Sequence, residues 1–332
     1  MNKDNILEVK NLHKRFTSKG ITVRAVTDVS FDVKPGETIG IVGESGCGKT
    51  TLGRCIVRAY NASEGEVFYR TRAGEELDFL KVDKKKMKEI RKEIQMIFQD
   101  PYSSLDPRMT VLDIIKEPLK ANYPKMPKAE MDQKAKDMAE KVGLNPSYLM
   151  RYPHAFSGGQ RQRIGIARAL VVEPQVIVCD EAVSALDVSI QAQVINLLRD
   201  LQKDLNLTYL FISHDLSVVE HISDKVGVMY LGRMVEFGKT EDLFAKPLHP
   251  YTEALLSAVP VADPTVHIER IPLKGEIPNP ANPPSGCYFH TRCQYCTQKC
   301  MEQAPEYVEL EPNHFVACHR AEELKLKGFA YE

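Results

Sequence analysis

The chain has 332 residues, of which 43% are hydrophobic and 27% are charged, enough to bury one large core and to carry an appended segment. Its formal net charge is -1, so no excess of basic charge favours nucleic acid as a partner. No uninterrupted apolar run approaches the roughly 20 residues of a membrane helix, and the N-terminus lacks the apolar stretch of a signal peptide. We therefore expect a cytosolic protein that reaches a membrane only through partners.

The first part of the chain predicts a sheet-rich unit. Residues 1 to about 99 alternate apolar, strand-like runs with turn signals. Strands are predicted at residues 6–9, at residues 23–33 and at Thr38–Val42, and a Pro-Gly turn at residues 35–36 separates the last two.

A glycine-rich loop follows the third predicted strand. Gly43, Gly48, Lys49 and Thr50 satisfy the phosphate-loop spacing G-x-x-x-x-G-K-[ST] between a strand and a helix predicted from Thr50 onward. Glycines allow backbone N–H groups to converge on phosphate oxygens, and the helix start adds a partial positive charge. Lys49 supplies a compact charge, and Thr50 offers its hydroxyl to Mg²⁺. The predicted nucleotide-binding residues of this loop are Gly43, Glu44, Ser45, Gly46, Cys47, Gly48, Lys49, Thr50 and Thr51.

A basic run at residues 84–88 is predicted to be the solvated face of a helix rather than a nucleic-acid patch. Apolar residues recur at helical spacing beside and beyond it. These residues are Met87, Ile90, Ile94 and Ile97.

From Pro101 to about residue 165, helical periodicity replaces the strand pattern. The apolar face of one predicted helix consists of Met131, Ala135, Met138 and Val142. Gly143 follows that face as a C-cap glycine would. A further helix is predicted to begin near Arg161.

A second apolar run ends in two acidic residues. Residues 176–179 predict a buried parallel strand, and Asp180 and Glu181 follow it directly. The carboxyl ends of parallel strands form the edge of the sheet where phosphates would lie. Asp180 suits the Mg²⁺ shell, directly or through water, and Glu181 is the candidate general base or water-positioning residue. Residues 209–212 predict another parallel strand.

A short motif between these regions carries a family resemblance. Phe156, Ser157, Gly158, Gly159 and Gln160 resemble the signature motif of the ATP-binding subunits of ABC transporters, in which leucine is commoner than phenylalanine at the first position. Further family positions occur in the same order along this chain. They are Phe16, which resembles the adenine-stacking aromatic, Gln99 of the Q-loop, Asp187 of the D-loop and the switch histidine His214.

The roles that the resemblance implies are physically reasonable for these side chains. Gln99 can contact Mg²⁺ or the attacking water through its amide. His214 can donate a hydrogen bond to the γ-phosphate in the transition state. Phe16 keeps the aromatic face of the usual tyrosine. The candidate catalytic residues are thus Glu181, His214 and Gln99, and the candidate Mg²⁺ ligands are Thr50, Gln99 and Asp180.

The resemblance also implies a fold and a domain division. It implies an α/β fold, a P-loop NTPase core of ABC type with an inserted helical subdomain at about residues 101–165 and a small Cys-rich C-terminal extension. The ATPase domain would span residues 1–245 and the extension residues 246–332.

Two further consequences of the resemblance concern partners. In the family, Ser157 and Gly159 contact the γ-phosphate bound to the other subunit, so two ATPase domains sandwich two nucleotides and ATP drives their dimerisation. The turn-rich segment at residues 100–108 would belong to the groove, around residues 99–109, where a membrane subunit docks.

Prolines and cysteines dominate the chain beyond residue 245. The prolines predict an extended segment without regular structure. They are Pro260, Pro264, Pro272, Pro278, Pro280, Pro283 and Pro284. Behind them lie five of the eight cysteines, namely Cys287, Cys293, Cys296, Cys300 and Cys318. The other three, Cys47, Cys55 and Cys179, are expected to be ordinary small buried residues or to fill space in loops.

Clustered cysteines in a cytosolic protein favour a metal over disulfides. Zinc is one alternative, because two residues separate Cys293 from Cys296 and His290, His314 and His319 lie nearby in the sequence.

A [4Fe-4S] cluster is a second alternative, and cysteines that bind no metal are a third. Residues 248–252 and 286–293 resemble the C-terminal extension of the oligopeptide and dipeptide subfamily, some members of which bind such a cluster through four cysteines. Thiolates are the ligands that this cluster requires. On this resemblance the ligands are Cys287, Cys293, Cys300 and Cys318. Cys296 is an extra cysteine outside the pattern.

The resemblance therefore implies the ATP-hydrolysing subunit of a bacterial or archaeal peptide importer that uses ATP and Mg²⁺. Its expected partners are two membrane permease subunits, a second ABC ATPase subunit, identical or homologous, and indirectly an external solute-binding protein. It would lie peripherally on the cytoplasmic side of the cell membrane. Alternatives are an importer of nickel or another small solute, and a soluble ATPase accessory of a cytosolic complex such as carbon-phosphorus lyase. An iron-sulfur redox enzyme fits less well, because nothing in the tail resembles a redox-substrate pocket.

Overall fold

The structure is a computed structural model that describes residues 1–260 and 270–329. The chain divides into two compact units. The first unit consists of Met1–Glu8, Asp32–Glu37 and Phe68–Ile212, and the second of Val9–Phe31, Thr38–Val67 and the described residues from Ser213 onward. Part of the proline-punctuated segment, residues 261–269 with Pro264, lies outside the described residues.

The elements are numbered along the chain. The described strands are β1 (Leu7–Ser18), β2 (Ile21–Val33), β3 (Thr38–Val42), β4 (Glu64–Arg70), β5 (Glu76–Asp78), β6 (Ile94–Ile97), β7 (Val176–Asp180), β8 (Thr208–Ile212), β9 (Lys225–Tyr230), β10 (Arg233–Lys239), β11 (Val308–Glu311) and β12 (His314–Val316). The described α-helices are α1 (Lys49–Ile56), α2 (Lys84–Ile90), α3 (Val111–Asn122), α4 (Lys128–Lys141), α5 (Gly158–Leu170), α6 (Val188–Leu205), α7 (Leu216–Ile222), α8 (Thr240–Ala245), α9 (Pro250–Ser257) and α10 (Gln298–Glu302). Short 3-10 helices cover Pro146–Tyr148 and Pro153–Ala155.

Parallel strands form the main sheet of the first unit. β6 pairs with β7, with Ile97 opposite Cys179, and β7 pairs with β8, with Asp180 opposite Ile212. Every residue of β7 and β8 is buried, as is typical of strands in a parallel sheet. The predictions of parallel strands at residues 176–179 and 209–212 are confirmed.

The helix predicted around the basic run is shorter than expected. α2 ends at Ile90, with Met87 and Ile90 buried. Ile94 and Ile97 lie in β6 instead, so the prediction was wrong for these two residues. Apolar residues spaced by three or four are compatible both with one long helix and with a short helix followed by a buried strand.

The helical region of the first unit contains α3, α4 and α5. The buried face of α4 and its C-cap includes Met131, Ala135, Met138 and Val142, as predicted. Gly143 then has a φ of +74°, the left-handed conformation in which a helix-ending glycine is favoured. The Lys116 ammonium on α3 lies 2.5 Å from an Asp132 carboxylate oxygen on α4, which joins the two helices. α5 begins at Gly158, not near Arg161 as predicted.

The second unit contains mixed strands. β3 pairs with β9 in parallel, with Val42 opposite Val228, and β10 runs antiparallel to β9. β12 and then β11 continue this sheet in antiparallel pairs. β2, β1 and β4 are neighbours in a separate sheet. β1 and β2 are both longer than the predicted strands at residues 6–9 and 23–33.

The buried Glu236 side chain on β10 forms hydrogen bonds with two parts of the C-terminal segment, one at its beginning and one at β12. Its carboxylate accepts hydrogen bonds from the backbone N–H groups of Leu248 (2.7 Å) and His249 (3.0 Å). It also lies 2.8 Å from His314 Nε2 on β12. Such a buried carboxylate needs several donors, and these partners give the residues after 245 a fixed attachment to β10.

The prolines have the predicted effect where the structure describes them. Residues 270–286 contain neither helix nor strand. None of the helices described within residues 1–260 and 270–329 is long and apolar enough to cross a membrane.

Candidate nucleotide site and cysteine pocket

The loop after β3 requires its glycines. Gly43 and Gly48 have φ angles of +148° and +106°, which side chains disfavour. A Cβ on Gly43 would lie 2.2 Å from the Met229 carbonyl oxygen, and one on Gly48 would lie 2.1 Å from the Ala25 carbonyl oxygen. Backbone therefore fills the space around both glycines, and no other residue type allows this loop.

Lys49 places its ammonium group over the loop. The residue is 4% exposed, and Nζ donates to the carbonyl oxygens of Gly43 (2.7 Å) and Glu44 (3.0 Å). Lys49 is also the first residue of α1, one position before the start predicted at Thr50. A positive charge, backbone N–H groups and a helix N-terminus thus meet at the same loop, which is the arrangement that binds phosphate. β3, this loop and α1 define a P-loop nucleotide-binding protein.

Phe16 and His214 belong to the same unit as the loop. Phe16 on β1 is 39% exposed, packs edge-on against Tyr60 with 5.6 Å between ring centroids and has the Lys14 ammonium 4.7 Å from its ring centre. Part of the Phe16 ring is therefore open to solvent. His214 is exposed and follows Ser213, whose N–H donates to the Ile41 carbonyl of β3.

The first unit brings three of the predicted residues together. Asp180 ends β7 and is fully buried. Glu181 follows with a φ of +46°, a left-handed conformation that is strained for a glutamate. Its N–H donates to the Ile212 carbonyl oxygen, and its carboxylate accepts a 2.7 Å hydrogen bond from Gln99 Nε2. The amide of Gln99 thus orients the carboxylate proposed to act on water.

The signature residues have a local structural role as well. Ser157 is the N-cap of α5, and its hydroxyl accepts from Gln160 N–H while Gln160 Oε1 accepts from Ser157 N–H (3.0 Å). This capping box starts the helix at Gly158. A Cβ on Gly159 would lie 2.4 Å from Ile190 Cγ2 of α6, so glycine is required there. Ser157 and Gln160 remain exposed.

The predicted D-loop residue Asp187 caps the next helix. Its carboxylate accepts a 3.0 Å hydrogen bond from Ile190 N–H at the start of α6. Asp187 itself is exposed, so capping leaves it accessible to a partner.

Four of the tail cysteines line a single small cavity of about 20 Å³. These residues are Cys287, Cys293, Cys300 and Cys318. Burial raises the pKa of Cys287 to about 11 and that of Cys293 to about 12. Both thiols are therefore protonated near neutral pH unless a cation displaces the proton.

The four cysteine side chains of this cavity are chemically suitable ligands for an iron-sulfur cluster, because all four are thiols. Within residues 1–260 and 270–329, however, no three or more His, Cys, Asp or Glu side chains are arranged to hold a metal ion. The cavity has room for about one water molecule. Metal binding there would require the thiols to rearrange.

The set of residues considered for zinc is more dispersed. The thiol of Cys296 contacts the Thr297 carbonyl oxygen, and His314 contacts Glu236; neither lines the cavity, whereas His290 and His319 do. The three core cysteines, Cys47, Cys55 and Cys179, are free and buried, as predicted.

Two residues of the C-terminal segment contact the phosphate loop and were not predicted from the sequence. Arg292 forms an ion pair with Glu44, 248 positions away, and Tyr251 accepts a hydrogen bond from Glu44 N–H. A charged residue next to a phosphate loop predicts that some partner exists, but no local pattern in the sequence identifies it.

The chain matches two protein-family models and is similar in sequence to known proteins. The family model for ABC transporters matches residues 26–184, and the model described as oligopeptide/dipeptide transporter, C-terminal region, matches residues 235–300. The oligopeptide transport ATP-binding protein AppF of Bacillus subtilis is 55% identical over 327 residues, covering 96% of this chain and 98% of its own. OppF of Haemophilus influenzae, with the same description, is 53% identical over 313 residues, covering 94% and 93%.

Solved structures agree with these matches. A dimeric post-hydrolysis structure of the ATP-binding cassette MJ0796 bound to ADP and Pi has a TM-score of 0.63 and 27% identity, covering 70% of this chain and 98% of its own. The structure of cbiO1 from Clostridium perfringens has a TM-score of 0.63 and 28% identity, covering 73% and 91%. The chain belongs to the ATP-binding proteins of ABC transporters, the ATPases that couple ATP hydrolysis to transport. The predicted ABC ATPase fold is confirmed.

Proposed function

We propose that this chain is the ATP-hydrolysing subunit of an importer of oligopeptides or dipeptides. The observation that carries the proposal is the match of residues 235–300 to the C-terminal region of oligopeptide and dipeptide transporters. The P-loop core alone is compatible with many cargoes, whereas this second match is to a region named for peptide transporters. The relatives named for oligopeptide transport also span nearly the whole chain.

In the proposed reaction, the loop at residues 43–51 binds the phosphates of ATP, with Lys49 on the β- and γ-phosphates and Phe16 against the adenine. Thr50, Asp180 and Gln99 would hold Mg²⁺, which would supply positive charge beside the phosphates. Lys49 and the backbone N–H groups of the loop stabilise the negative charge that develops as the γ-phosphoryl group leaves ADP.

The attacking water is assigned to the first unit. Glu181 accepts a proton from the attacking water or holds that water in line. The water oxygen bonds to the γ-phosphorus as the bond between the γ-phosphorus and ADP breaks. The 2.7 Å hydrogen bond from Gln99 supports this role because it fixes one carboxylate oxygen. His214 donates to the γ-phosphate of the transition state.

The signature residues are proposed to act on the nucleotide of a partner subunit. Ser157, Gly158, Gly159 and Gln160 would contact the γ-phosphate bound by the partner's loop, with Asp187 at the same interface. The exposure of Ser157 and Gln160 is compatible with such contact. ATP would then join two ATPase subunits, and hydrolysis would separate them.

A direct connection links the proposed permease-docking segment to the signature helix. In the turn-rich residues 100–108, Tyr102 has the Arg161 guanidinium 4.2 Å from its ring centre, and the Ser104 carbonyl oxygen accepts a 2.6 Å hydrogen bond from Arg168. Both arginines lie on α5. A permease that moves this segment would therefore move the helix that begins with the signature.

The proposal places the chain peripherally on the cytoplasmic side of the cell membrane. Its partners would be two permeases, a second ATPase subunit, identical or homologous, and indirectly an external solute-binding protein. The test is co-purification of the Glu181→Gln variant with MgATP from detergent-solubilised native membranes, with Lys49→Ala as control. Two permeases and an ATPase are expected with Glu181→Gln only. Co-purification of soluble enzymes alone would indicate an accessory of a cytosolic complex. Co-purification of permeases with a nickel-type binding protein would indicate an importer of nickel instead of peptides.

We further propose that residues 1–245 form the ATPase domain and residues 246–332 a Cys-rich extension. The extension would hold a [4Fe-4S] cluster through Cys287, Cys293, Cys300 and Cys318. Their shared cavity supports this proposal because it brings together residues that are up to 31 positions apart. The cluster would supply a structural cross-link, and the chain's own thiols would lose their protons on binding it.

The cluster is tested by anaerobic reconstitution with iron and sulfide. We expect a broad absorbance in the visible region and about four iron and four sulfide per chain. Cys300→Ser should lower the bound iron strongly, whereas Cys296→Ser, the matched control outside the cavity, should leave it unchanged. A reconstituted protein without visible absorbance, or with one tightly bound zinc, would contradict the cluster.

A further inference from the structure

Residues of the C-terminal segment hold one residue of the phosphate loop from two sides. Arg292 donates two hydrogen bonds to the Glu44 carboxylate, from Nη1 to Oε2 (2.6 Å) and from Nη2 to Oε1 (3.0 Å). The Glu44 N–H donates to the Tyr251 hydroxyl (2.9 Å), and the Glu44 carbonyl oxygen accepts from Lys49 (3.0 Å). The side chain and both backbone groups of Glu44 are thus fixed.

The ion pair is of the strong kind. The Arg292 side chain is only 5% exposed and that of Glu44 is 25% exposed, so water screens the pair little. Paired forks of this type are stronger and more directional than exposed ion pairs. The hydrogen bonds that Arg292 donates to the Glu44 carboxylate are the main cause of the raised pKa of Arg292. Arginine therefore stays charged at this position.

An aromatic group supports both contacts. The rings of Tyr230, Tyr251 and Phe289 pack against one another with centroid distances of 4.8 to 5.3 Å. Tyr251 and Phe289 are 0% and 2% exposed. Tyr251 lies on α9 and Arg292 follows Phe289 by three residues, so the two groups that touch Glu44 project from one packed base.

We propose that the C-terminal extension is a clamp on the phosphate loop, with Arg292 and Tyr251 as positioning residues for ATP binding. Glu44 directly follows Gly43, where the chain leaves β3 and the loop begins. Backbone N–H groups bind phosphate only when they point to it, and a loop fixed before binding loses less entropy on binding. This inference rests on the proposed binding of ATP by residues 43–51. It gives the extension a role in the nucleotide chemistry of its own chain.

The test compares MgATP binding to the full-length parent and to Arg292→Ala by titration calorimetry. We expect the Kd to rise about tenfold, ~1.4 kcal/mol, with unchanged stoichiometry. A merely structural role would lower the fraction of binding-competent protein instead. Arg292→Lys keeps the charge but loses the fork, so an intermediate Kd is expected. If Arg292→Ala does not fold, the Kd for MgATP is measured on Arg292→Lys and Tyr251→Phe instead.

A double-mutant cycle shows whether Arg292 acts through Glu44. The double variant that carries both Glu44→Ala and Arg292→Ala should have a Kd for MgATP no higher than the higher Kd of the two single variants. The matched control is Arg320→Ala, because Arg320 also lies near a tail cysteine but pairs with exposed Glu323 (2.9 Å); its Kd should equal the parent's. Additive losses, or a Kd for Arg292→Ala within about twofold of the parent's, would overturn the clamp. A parent that binds no MgATP would instead refute the proposed function.

Discussion

Replacement of Lys49 by alanine is expected to weaken MgATP binding about a hundredfold, ~2.7 kcal/mol, and to abolish hydrolysis. The ammonium lies over the loop, held by the carbonyl oxygens of Gly43 and Glu44. A hydrogen bond to a charged group contributes about 1.5 to 3 kcal/mol, and Lys49 would contact two phosphates. The measurements are the Kd by titration calorimetry and phosphate release at saturating ATP.

The matched control is Lys203→Ala. Lys203 is an exposed lysine on α6, and its removal should leave both quantities unchanged. Parent-like binding and turnover by Lys49→Ala would show that residues 43–51 are not the phosphate site.

Glu181→Gln is expected to keep ATP bound while hydrolysis falls by at least about a hundredfold, the lower limit for loss of a general base. Glutamine has nearly the same shape, and its side-chain oxygen can still accept the hydrogen bond from Gln99. It lacks the negative charge that takes up a proton from water. Unhydrolysed ATP should therefore hold two ATPase subunits together.

Two measurements check this expectation. Single-turnover phosphate release gives the rate of the chemical step, and light scattering with MgATP gives the mass of the complex, with the partner ATPase added where it is a different chain. Asp187→Asn is a comparison at another acidic residue, which caps α6 and is not assigned to the water. Hydrolysis by Glu181→Gln at the parent rate would rule out the assigned base.

Elements with strong local signals could be predicted from the sequence. The runs that became β3, β7 and β8 are continuous and apolar, and each forms a fully buried strand. Gly143 ends α4 because a left-handed residue is needed there. The phosphate loop could be predicted because the constraints on its glycines are local and steric.

Other features depend on contacts that no local pattern reveals. α5 starts at Gly158 although glycines disfavour helix, because the capping box favours a start there and Gly159 must be small beside Ile190. The serine and glutamine three residues apart were a readable signal for this start. The Glu44 and Arg292 pair joins distant parts of the chain, so only the folded structure shows it.

ATP-dependent peptide uptake tests the central claim most directly. Cells that lack this chain and carry a plasmid copy of the parent, of Lys49→Ala or of Lys203→Ala would be given a labelled tripeptide, and its rate of entry measured. We predict uptake with the parent and Lys203→Ala and none with Lys49→Ala. In a strain whose other peptide importers have been deleted, equal uptake in all cells, including those without the chain, would contradict a role in peptide import.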